Sequence, residues 1–96
     1  MNDLEIQLAA LNELRSFLEQ FKEELGEKLI MYSNRFLAIR DAGLSVQVAD
    51  TYMANFCDPN THQLRNLIET LGEHDLPYVK ENIDITEQAL AKARRG

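Results

Sequence analysis

Cys57, Asp58 and His62 are the one close trio of reactive side-chain types in this sequence. On a helix Asp58 and His62 are i, i+4 neighbours, close enough to share a hydrogen bond. A thiol–imidazole nucleophile also needs an orienting group and donors for a developing oxyanion. Neither accompanies the trio, and Pro59 stands between the cysteine and the histidine. The simpler reading is a small apolar cysteine beside a turn histidine. Metal chemistry fares no better. The cysteine and the two histidines, His62 and His74, fall short of the four ligands of a structural zinc site. No Glu-x-x-His pair of the di-iron bundles occurs. Glu19/Glu23, Glu23/Glu27 and Glu69/Glu73 are i, i+4 carboxylate pairs of the kind that solvated helix faces carry. There is no glycine-rich phosphate loop. The chain therefore reads as a non-enzyme with no metal and no cofactor.

The elements that would hold these side chains are helices. Leu4, Leu11, Leu18, Leu25, Tyr32 and Ile39 recur every seventh residue, and seven residues is close to two helical turns. Leu14 and Phe21 fill the positions between rungs, while Leu29 and Phe36 come one place later. That is the drift of a 3.6-residue helix against a seven-residue repeat. A helix over about 3–40 is expected, started by Asn2 with Glu5 three places on, in the pattern of a capping box. Phe17 and Met31 widen its apolar stripe beyond a two-stranded seam. The helix is thus expected to meet more than one neighbour, within the chain or in a partner. Gly26 inside it costs about 1 kcal/mol against alanine, too little to break so periodic a run.

A turn is expected over 41–44, with Ala42 and Gly43 as its motif and Gly43 placed as a C′ glycine. Ser45 then caps a return arm. The arm reads as pieces over about 45–57, 59–72 and 76–95. Asp58-Pro59 fits either a fresh cap or a kinked continuation. Gly72 closes the second piece, and Asp75-Leu76-Pro77 starts the third. Their apolar faces are Ala49, Tyr52, Met53 and Phe56, then Leu64, Leu67, Ile68 and Leu71, then Val79, Ile83, Thr86, Leu90 and Ala93. The expected fold is all-α, a single domain over 1–96. It is a helical hairpin in which a long amphipathic helix is answered by a kinked or broken antiparallel arm.

Composition narrows the function. The 96 residues carry sixteen acids against ten lysines and arginines, a net charge of -6, and no basic stripe follows any face. Nucleic-acid binding is disfavoured on that ground. One cysteine cannot form an internal disulfide, which fits a reducing compartment. No window approaches eighteen consecutive apolar residues, so no membrane span is expected. The acidic start, Met1-Asn2-Asp3-Leu4-Glu5, lacks the basic and apolar regions of a signal peptide. A cytoplasmic protein is expected, exported, if at all, without a cleavable signal. Tyr52, Met53 and Phe56 are of the types enriched at interfaces, though such residues are more often core. With Leu4, Leu11, Leu18 and Leu25 they form the candidate partner-contact set.

The layout resembles the WXG family of small helical-hairpin proteins linked to type VII and related secretion systems. The matching features are the chain length, the long amphipathic first helix, a central turn ending in Gly43 and an amphipathic second arm. Asp41 stands where the family's tryptophan would be, so Gly43 alone matches the Trp-x-Gly signature. The family's export element, a tyrosine with an acid four places later, is not met, because Asn82 follows Tyr78 at that distance. The resemblance implies a homodimer or heterodimer forming a four-helix bundle. The partner would be a second copy, a homologous helical protein, a helical toxin domain or a secretion component. An alternative is a small cytoplasmic regulator or immunity-type protein that binds one target through its acidic first helix. A third reading, a filament or needle subunit, fits poorly with the length of chain after Pro59.

Overall fold

The computed structural model describes residues 2–95, and among them there is no strand. Helix α1 runs from Asp3 to Asp41, 39 residues without interruption. Its start is fixed by the Asn2 side chain, whose Oδ1 accepts the Glu5 N–H at 2.8 Å. Its end is fixed by Gly43, whose φ of +137° lies where an L side chain is disfavoured. The Leu44 N–H donates back to the Arg40 carbonyl at 3.3 Å, closing the last turn. Helix α2, Val46–Tyr52, opens on Ser45, which has extended backbone and accepts the Val48 N–H on its Oγ at 3.3 Å.

From there the return arm stays helical to Arg95, through a five-residue π turn at Met53–Cys57, α3 at Asp58–Thr70, a second π turn at Leu71–Asp75, and α4 at Leu76–Arg95. Of the two readings of Asp58-Pro59 it is the continuation that occurs, and the helix also runs on through Gly72. Asp58 is not an N-cap, because its backbone is helical (φ -64°, ψ -47°) and its N–H donates to Met53, five residues back. Leu76 repeats the arrangement, with φ -65°, ψ -46° and its N–H on the Leu71 carbonyl. Each π turn ends two residues before a proline. Proline lacks an N–H and its ring collides with the carbonyl four residues earlier. A turn widened by one residue moves that carbonyl away and lets the helix continue. The residue before a proline ordinarily leaves the helical region, and here both Asp58 and Leu76 remain in it.

The widened turns also set the inward register. Leu71, Leu76, Val79, Ile83, Thr86 and Leu90 are all buried. The five-residue step from Leu71 to Leu76 would swing Leu71 off that face in an ideal α-helix, and the π turn restores it. Farther back, Met53, Cys57, Thr61, Leu64 and Ile68 are half-buried, with four-residue steps across the first π turn.

Packing divides the chain into two units. The first comprises Met1–Lys22 with Thr70–Gly96. In it, the start of α1 lies antiparallel to α4. The Gln7 Nε2 donates to Thr86 Oγ1 at 3.3 Å, and Glu5 pairs with Arg94 at 3.6 Å. The buried Thr86 hydroxyl donates in turn to the Asn82 carbonyl at 2.8 Å, so it is satisfied. Lys22 passes over Gly72, where a Cβ would fall 2.9 Å from its Nζ. The second unit is Glu23–Glu69, the rest of α1 turning through 42–45 into α2 and α3. Here Phe36 stacks on Tyr52 with ring centroids 6.1 Å apart. In each unit the architecture is that of a helix answered by an antiparallel helical arm.

Candidate interaction surface

Helix α1 buries none of its 39 residues. Leu4, Leu8, Leu11, Leu18, Phe21, Leu25, Leu29 and Phe36 are half-buried, whereas Leu14, Phe17, Met31, Tyr32 and Ile39 are exposed. A stripe this wide has a covered strip facing the return arm and an uncovered flank beside it. In the first unit the flank carries Phe17 stacked on Phe21 at 5.9 Å. A shallow depression of about 450 Å³ runs beside Phe17 between Asn12, Glu13, Ser16 and Gln20. All of these sit on one helix, so the depression is a surface rather than a pocket.

The second unit holds a deeper feature, a cleft of about 650 Å³ between α1 and the arm from Tyr52 to Arg65. Tyr32, Phe36 and Ile39 form one wall, and Tyr52, Met53, Phe56 and Leu64 form the other. Tyr52 bridges the rings, lying 6.1 Å from Phe36 and 5.0 Å from Phe56 at a tilt of 41°. Arg35, Asp58 and Arg65 add charge along the same cleft. The π turn at Met53–Cys57 places Met53, Phe56 and Cys57 together on this wall.

The candidate residues thus fall in two places. Leu4, Leu11 and Leu18 sit half-buried in the first unit, and Leu25 is half-buried in the second. Tyr52, Met53 and Phe56 line the cleft, with Tyr52 and Phe56 about half exposed. Ala42 and Gly43 form the exposed turn. Of the reactive trio, Cys57 is half-buried in the cleft wall, while Asp58 and His62 are exposed. Among the described residues no group of three or more His, Cys, Asp or Glu side chains could hold a metal ion. No described helix is long and apolar enough to cross a membrane. Tyr32, Ile39, Arg35 and Arg65 join the surface without having been singled out for it. The available signal was the pair of i, i+4 aromatic couples, Tyr32/Phe36 and Tyr52/Phe56.

The arrangement offers apolar area, rings and a few flanking charges, which is the chemistry of helix recognition. No protein-family model, curated protein or solved structure matches the chain.

Proposed function

We propose that the protein is a non-enzymatic helical interaction protein, a WXG-like secretion-associated adaptor that pairs with a helical partner. The observation that carries this reading is α1, thirteen of whose apolar side chains form one wide stripe while none is buried. An amphipathic helix is stabilised chiefly by packing that stripe. One return arm covers part of it, and a partner helix would cover the rest. The central glycine turn and the hairpin layout support the WXG-like part of the reading.

Sedimentation velocity of the full chain, with circular dichroism to follow the fold, is the test. Association is expected, with itself or with a co-expressed helical partner, and Leu18→Glu or Leu25→Glu should abolish it. An assembly that withstands both substitutions, or a chain that stays alone in every mixture, overturns the reading.

A further inference from the structure

We infer that the uncovered flank of α1 in the first unit is the docking face for a basic amphipathic helix, with Phe17 and Glu13 receiving one of its cations. The inference rests on the reading of the protein as a helical pairing module, and it supplies the chemistry of the partner. Ile6, Ala10, Leu14, Phe17 and Phe21 fall within a sector of about 80° around the axis of α1. Ile6, Leu14 and Phe17 are 53%, 42% and 60% exposed. The flank runs for about 23 Å, a length suited to another helix laid alongside it.

Charge selects the kind of helix. Between Asp3 and Lys22 every exposed charge is acidic: Asp3, Glu13 and Glu19. Both bases of the stretch, Arg15 and Lys22, are half-buried, and Lys22 reaches over Gly72 of the arm. Glu5 is already paired with Arg94, whereas Glu13 has no ion-pair partner among the described residues. A second copy laid on this flank would set acid against acid. A helix with lysines or arginines beside its apolar stripe meets the opposite sign.

The depression beside Phe17 gives one such cation a place. It holds about 450 Å³ between Asn12, Glu13, Ser16, Phe17 and Gln20. Asn12 donates its Nδ2 to the Leu8 carbonyl at 3.0 Å, which leaves Oδ1 as an acceptor. A carboxylate, a hydroxyl and amide oxygens around an exposed phenyl ring suit an ammonium or guanidinium on a carbon stem. The charged head pairs with Glu13, and the stem or the guanidinium plane lies on the ring. No basic side chain lines the depression to receive an anion.

The experiment titrates the full chain into three labelled peptides of about twenty residues, read by fluorescence anisotropy. The first is a helix with leucines on one face and lysines beside them. The second carries glutamate in place of each lysine, and the third scrambles the first. The lysine helix should bind about thirtyfold more tightly than either of the others. It should lose about tenfold between about 0.05 and about 0.5 M salt. Phe17→Ser and Glu13→Lys, both at exposed positions, should each weaken it by about tenfold while circular dichroism shows the fold retained. Glu13→Lys should also strengthen binding of the glutamate peptide. Ile30→Ser, at an exposed position of the second unit, should change nothing. Equal binding of the three peptides, or binding indifferent to salt, overturns the basic occupant and leaves the pairing reading standing. A preference for the lysine helix that survives both substitutions overturns the flank. A chain that binds no peptide yet associates with itself overturns this inference alone, and a chain that associates with nothing overturns both.

Discussion

Three glycines in this chain do different work, and the environment of each sets the sign of its replacement. Gly43 has open space around it, so a methyl group there would collide with nothing. Its φ of +137° is nevertheless a conformation that alanine adopts only under strain. Gly43→Ala is expected to destabilise by about 1–2 kcal/mol. Gly26 also has nothing within 4 Å of a built Cβ, but its backbone is ordinary helix. Gly26→Ala should therefore stabilise by about 1 kcal/mol. Gly72→Ala should stabilise by less, because the flexible end of Lys22 must first move aside. Urea unfolding of the three variants checks the order, and a stabilised Gly43→Ala would refute the account of the turn. Ser45 and Asn2 belong to the same scale. Both caps were readable from residue type and position, since a short polar side chain before a periodic run satisfies amides that no helix carbonyl can reach.

At the scale of the element, the π turns are the feature that sequence periodicity does not reveal. Pro59 and Pro77 were visible as interruptions, but a proline's consequence depends on what the helix on either side is packed against. Leu71 and Leu76 are both buried though five residues apart. The widened turn satisfies the proline and the core together. Deleting the exposed Glu73 while replacing Pro77 by alanine brings the two leucines to i, i+4 spacing in an uninterrupted α-helix. That variant should keep the fold and be more stable by about 1–3 kcal/mol. Deleting Glu73 with Pro77 retained should instead destabilise, since the proline would again meet the carbonyl four residues before it. Chemical denaturation with helicity as the signal distinguishes the two. The inward faces themselves were largely legible: Val79, Ile83, Thr86 and Leu90 follow the three-four spacing of a packed helix and are buried. Leu67 and Ala93, placed on those faces by the same rule, are exposed, because each lies at the edge of a stripe that only one neighbour covers.

For the whole molecule, the decisive quantity is apolar surface that the chain cannot cover with itself. If association supplies part of the folding free energy, stability must depend on concentration. For a dimer, each tenfold dilution should lower the apparent stability by about 1.4 kcal/mol. Thermal melts across a hundredfold range of concentration measure this directly, and a midpoint that does not move would refute obligate pairing. The sequence by itself determined the helices, their caps, the turn at Gly43 and the inward positions of the final helix. These follow from local propensity and from the period at which apolar residues recur. Only the tertiary structure decided which part of the α1 stripe is covered, that the prolines leave the arm helical, and that Tyr32, Phe36, Tyr52 and Phe56 line one cleft. Those outcomes depend on how two helices face each other, and a period along one chain carries no information about the partner across from it.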